Sequence, residues 1–174
     1  KLLSFANWPE TDPLVNEVSP KLSVVRFTEH IEAFIDLENL QLSDKVESGM
    51  FASYNVYPYF PASLQYGKYT EYIDDEGNRN PYRKYLMELV DHHSCPVIVT
   101  EYGVPASRSP AYKDVWRNLS QGGNNETEQG IALLEMYEDI QKAGCAGGMV
   151  FTWQDEWFKR SWNEKSLSNP DGRA

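Results

Sequence analysis

Glu101 closes the segment PVIVTEYG, in which a β-branched apolar run meets a carboxylate and the chain turns at once through Gly103 and Pro105. Such a run has the composition of a strand buried on both faces. A charge at its end is costly unless it is paired or used. Other short apolar runs end in a similar way. Residues 2–8 finish in Asn7 and Trp8, and residues 51–57 in Tyr54, Asn55 and Tyr57. Residues 147–153 finish in Trp153, with Gln154, Asp155 and Glu156 following. Aromatic rings among amides and carboxylates suit a sugar, whose apolar face stacks on a ring while its hydroxyls need paired donors and acceptors. Glycoside hydrolysis in addition needs carboxylates around an oxocarbenium-like transition state. The structural alternative makes Glu101 an acceptor for Tyr57 or for an arginine such as Arg108. For Trp153 the alternative is an ordinary core aromatic, and for Asp155 and Glu156 it is loop ion pairs with Lys159 and Arg160.

The elements that must position these residues can be read from the pattern around them. Asn80-Pro81 supplies an N-cap and a first-turn proline, and Tyr82, Tyr85, Leu86, Leu89 and Val90 then recur at helical spacing. A second helix is expected over 128–142, capped by Thr127, with Ile131, Leu134, Tyr137 and Ile140 along one stripe and Gly144 as terminator. Strand, helix, strand, helix, strand implies an α/β fold with a parallel sheet covered by helices. Residues 62–80 and 104–126 are rich in Gly, Asn, Ser and Tyr and follow C-terminal strand ends, the side on which parallel α/β folds build their sites. Residues 30–40, HIEAFIDLENL, read as a strand or a helix, and Asp74-Asp75-Glu76 as a solvated loop.

Composition narrows the partners. A chain of 174 residues with 41% apolar and 13% aromatic content has the material for one domain with a real core. A net charge of −10 argues against a nucleic-acid or anionic-membrane surface and favours a neutral, polar partner. No apolar run approaches the ~20 residues of a membrane span. The opening KLLSFAN is already apolar and strand-like, so the chain reads as a piece of something longer, without a signal-peptide pattern at its start. Cys95 and Cys145 have no metal-ligand spacing and read as reduced thiols near the same end of neighbouring strands. No cofactor or metal is expected. His92 and His93 end a helix, where positive charge is favoured, and carry no assigned chemistry; His30 has no visible partner.

PVIVTEYG followed by GGMVFTWQDEW resembles the last two strands of the retaining glycoside hydrolases built on a (β/α)₈ barrel, the clan of β-galactosidases, mannanases and cellulases. The resemblance implies that Glu101 is the nucleophile at the end of the seventh strand and Trp153 the aromatic ending the eighth. FASYNVYPY is similar to the sixth strand, where Tyr54 or Tyr57 would stand beside the nucleophile, with Asn55 where a His is often found. SFANWP would be the fifth. The implied fold is therefore the C-terminal half of a TIM barrel, about strands 5 to 8, in one domain truncated at its N-terminus. The implied activity is hydrolysis of a β-linked oligo- or polysaccharide by double displacement. Tyr102, Asn7, Trp8, Asn55, Gln154, Asp155, Glu156 and Trp153 would bind substrate. The acid/base of the clan follows an Asn on the fourth strand; Asn16-Glu17 is a literal pair of that kind, but no convincing strand precedes it. The expected partner, apart from the glycan, is the missing half barrel or a second copy, since an isolated half would expose two sheet edges. A carbohydrate-binding barrel without activity, a glycan-positioning domain of a larger protein and an unrelated α/β protein are the alternatives.

Overall fold

A computed structural model describes residues 2–8, 14, 36–60, 64–65, 67–106 and 113–154. Its fold is α/β. Strands β1 (Leu3–Asn7), β2 (Met50–Asn55), β3 (Val97–Tyr102) and β4 (Gly147–Val150) form one sheet in the order β1-β2-β3-β4, every neighbouring pair parallel. Helix α1 (Pro81–His92) connects β2 to β3, and α2 (Glu126–Lys142) connects β3 to β4. A strand order that never reverses requires each crossover to step the same way, and right-handed crossovers then lay the helices on one face. In agreement, α1 and α2 pack on each other: Asn80 Nδ2 and Arg83 Nε reach Asp139 Oδ1 of α2 at 2.8 and 2.7 Å.

The first helix follows its sequence signals. Asn80 accepts a hydrogen bond from the Arg83 amide, Pro81 opens the first turn, and Tyr82, Tyr85, Leu86 and Leu89 are buried. The second departs from them. Its cap is Asn125 rather than Thr127, in a reciprocal capping box with Glu128. Its buried positions are Ala132, Met136, Asp139 and Ile140, whereas Ile131 and Leu134 are 53% and 66% exposed and Tyr137 is also exposed. Steps of three residues advance only 300° each, so a row at 131, 134, 137 and 140 winds half-way round the helix; a true face alternates steps of three and four. Gly144 does end the helix, with φ +87°. Residues 30–40 are described only from 36, where Leu37–Asn39 forms a single 3-10 turn capped by Asp36.

On the helix side of the sheet lie Ala52, Tyr54, Val97, Val99 and Tyr102, all buried. Gly148 faces the same layer: a Cβ there would stand 2.9 Å from Ile140 Cδ1 and 3.0 Å from the Tyr102 ring. That crowding accounts for the glycine in β4. Cys95 and Cys145 precede β3 and β4 as free, partly buried thiols, and burial pushes Cys145 up to about 12.

Candidate active site

Strict alternation along β3 would put Glu101 on the face of Val97 and Val99, against the helices. The strand avoids this with a bulge. Tyr54 pairs with Val99 but Asn55 with Glu101, so Thr100 is the extra residue, and the pairing with β4 skips in the same place. A bulge re-aims the side chains beyond it. Tyr102 therefore joins the buried helix side, and Glu101 turns to the far face beside Asn55.

The end of β2 completes the arrangement. The Val56 amide donates to the Glu101 carbonyl at 3.0 Å, which carries the ladder one residue past the strand and sets Tyr57 over the carboxylate. Tyr57 Oη donates to Glu101 Oε2 at 2.9 Å. The Tyr57 ring stacks on Tyr59 with centroids 5.6 Å apart, and a bridge between Tyr57 and Phe60 closes the turn through Pro58. Thr100 Oγ1 donates to Asn55 Oδ1 at 3.0 Å, which fixes that amide between the bulge and the carboxylate. Behind Glu101, Gly103 has φ +154°, and a Cβ on it would stand 2.6 Å from the Phe151 carbonyl oxygen. Only glycine fits between the ends of β3 and β4.

The loops after β2 and β3 are knit together on this side of the sheet. Gln65 accepts from the Val115 amide at 2.9 Å and donates to the Pro58 carbonyl, while Trp116 Nε1 donates to the Gln65 carbonyl at 2.8 Å. Asn124 holds the Pro105 and Ser120 carbonyls at 3.0 and 2.9 Å. Of Asp74-Asp75-Glu76, expected as a solvated loop, Asp75 and Glu76 are exposed and Asp74 is buried, and all three meet the buried Arg83 guanidinium, which Asp139 also binds.

The residues expected at the site are thus divided. Glu101, Tyr57 and Asn55 come together. Tyr54 does not: its hydroxyl lies 2.6 Å from His93 Nε2 on the helix side, so Tyr57 is the tyrosine at the carboxylate. Tyr102 is buried towards α2. Asn7 is buried in register with Tyr54, and its Oδ1 accepts from the Trp8 amide at 2.9 Å. Trp8 is exposed, and Trp153, beyond the end of β4, is 93% exposed with exposed Gln154 after it. Asp155, Glu156, Asn16, Glu17, His30, Arg108, Lys159 and Arg160 lie outside the described residues. Sequence reasoning missed the role of Thr100, for which a short apolar run gives no signal. It also missed the meeting of Asp36 with His92 and His93, 56 residues apart for the Asp36–His92 contact.

No protein-family profile, no curated protein and no solved structure matches this chain at a significant level.

Proposed function

We propose that this chain is the nucleophile-bearing half of a retaining (β/α)₈-barrel glycoside hydrolase acting on a β-linked glycan. The observation that carries the reading is the placement of Glu101 at the C-terminal end of β3, turned to the far face beside Asn55 at the neighbouring end of β2. There Tyr57 Oη donates to its Oε2 at 2.9 Å, a bond that a purely structural carboxylate would share. A phenol on one carboxylate oxygen holds the group in place and leaves the other free to attack the anomeric carbon. Attack expels the leaving group and forms a glycosyl-enzyme ester on Glu101, which water then cleaves. In this reading the acid/base carboxyl comes from a strand outside β1–β4 and stands about 5–5.5 Å from Glu101. Support for a barrel comes from the strand order, which runs without the reversal of a doubly wound sheet, and from the helices sharing one face. The far face, where Ser4 bonded to Ser53 at 2.8 Å stands beside Phe51 and Ile98, carries side chains that could fill the inside of a closed sheet.

The experiment compares Glu101→Gln with wild type in the intact protein, using an aryl β-glycoside panel and mass spectrometry after a 2-fluoro glycoside trap. The expected result is a covalent adduct on wild type that disappears in the variant, with kcat down by about 10⁴-fold or more. Unchanged activity in the variant removes Glu101 from the chemistry. Exposed Trp8 and Trp153 favour a second reading, a carbohydrate-binding domain without activity. An inactive wild type that still binds oligosaccharide, and loses it in Trp153→Ala, selects that reading.

A further inference from the structure

At the opposite end of the sheet from Glu101, where α1 hands the chain to β3, polar groups converge. His92 and His93 stand at the last residue and the C-cap of α1, and Asp36 caps the 3-10 turn beside them. One donor atom from each of Asp36, His92 and His93 lies within 4.8 Å of the other two. His92 Nε2 is already 3.0 Å from Asp36 Oδ2. We propose that these three residues bind a divalent transition ion, zinc in the first instance, which clips the Leu37–Asn39 turn to the end of α1.

Two imidazoles and a carboxylate form a donor set for borderline ions, with a fourth position left to water or to Glu38. Glu38 Oε1 stands 3.1 Å from His93 Nδ1, on the side of the ring that faces the turn. The other nitrogen, Nε2, points inward to Tyr54 Oη at 2.6 Å. That is the outer partner a ligating histidine needs, since it fixes both ring orientation and tautomer. On metal binding Nδ1 gives up its hydrogen to become a lone-pair donor, Nε2–H donates to Tyr54, and the tyrosine hydroxyl, able to donate or accept, rotates to suit. The His93 side chain is fully buried, so the site has one rigid ligand. Asp36 and His92 are 18% and 28% exposed, which gives the ion an entry and the ligands room to move. They must close to about 3.3 Å, the edge of a tetrahedron whose metal–nitrogen bonds are about 2.0–2.1 Å. The negative end of the α1 dipole favours a cation at this place.

The test uses the intact protein stripped with a chelator and titrated with zinc by calorimetry, beside Asp36→Asn and His92→Gln, both at partly exposed positions. We expect one tight equivalent on wild type, a rise in Tm with zinc, a tetrahedral visible spectrum with cobalt, and at least about a tenfold loss of affinity in each variant. Zinc that leaves the wild-type Tm and heat unchanged overturns the proposal, as does an equivalent that both variants keep. Should a variant fail to fold, ring nitrogen resonances of wild type decide the matter: zinc must shift those of His92 and His93, and unmoved signals refute the site.

Discussion

The near and far faces of one sheet follow different rules. On the near face Ala52, Tyr54, Val97, Val99 and Tyr102 are buried under two helices, and the one charged residue of α2 turned inward, Asp139, is matched by Arg83, Asn80 and Arg117. On the far face polar Ser4, Ser53, Asn55 and Glu101 stand among apolar Phe51 and Ile98, so that this face mixes polar with apolar groups in a parallel sheet whose two faces are usually apolar. The lesson is a division of labour. The near face supplies the burial that stabilises the fold, and the far face holds the polar groups on which the proposed function rests.

That division can be broken or sharpened by substitutions on either side. After the loss of activity expected in Glu101→Gln, the largest effect is expected at Gly148. Valine there must displace Ile140 and the Tyr102 ring, so Gly148→Val should destabilise the protein by about 3 kcal/mol, read from urea unfolding, with kcat per folded molecule unchanged. Next come the two tyrosines, three positions apart in sequence. Tyr57→Phe removes the hydrogen bond that orients Glu101 and, in the proposed glycosidase, should lower kcat roughly 10–100-fold, while water takes its place at the half-buried carboxylate and the unfolding midpoint moves less than in Tyr54→Phe. Tyr54→Phe should do the reverse, costing about 1–2 kcal/mol of stability by leaving His93 without its buried partner while kcat stays put. Equal kinetic losses in the two variants would abolish the distinction between the faces.

The smallest effect concerns Glu38. Hydrogen bonds from Ser94 and then His93 hold its carboxyl down at about 2, against an ordinary 4.5. A carboxylate depressed in the folded state contributes stability that is complete above pH 4.5 and is lost as the pH falls through that value towards 2. Glu38→Gln should therefore flatten the acid limb of stability in that window and leave neutral-pH kinetics alone. Urea midpoints measured down the window check it.

Much of this was legible in the chain, for reasons that can be named. The four strands announce themselves as short apolar runs closed by turn residues, and α1 by Asn80-Pro81 and a face of alternating three- and four-residue steps. The covered face of α2 was not, because Asp139 occupies one of its buried positions and reads as a surface residue until Arg83 and Arg117 are seen beside it. Glu101 and its Tyr57 partner were readable as a carboxylate and a ring at neighbouring strand ends. The choice between Tyr54 and Tyr57 was not, since it depends on pairing register. The meeting of Asp36 with the histidines depends on chain folding alone, over a separation no local pattern encodes.

The extra residue at Thr100 has a consequence for how β3 tolerates change. Up to Val99, odd-numbered positions answer to the helices; past Thr100 the even-numbered Tyr102 does, and odd-numbered Glu101 answers to whatever the far face meets. A substitution profile along these six residues would invert its parity in mid-strand. Deleting Thr100 would straighten the strand and leave plain alternation, with Val99 turned to the helices, Glu101 to the far side and Tyr102 back to the helices, so the carboxylate would keep its face while its neighbour lost the kink that separates them.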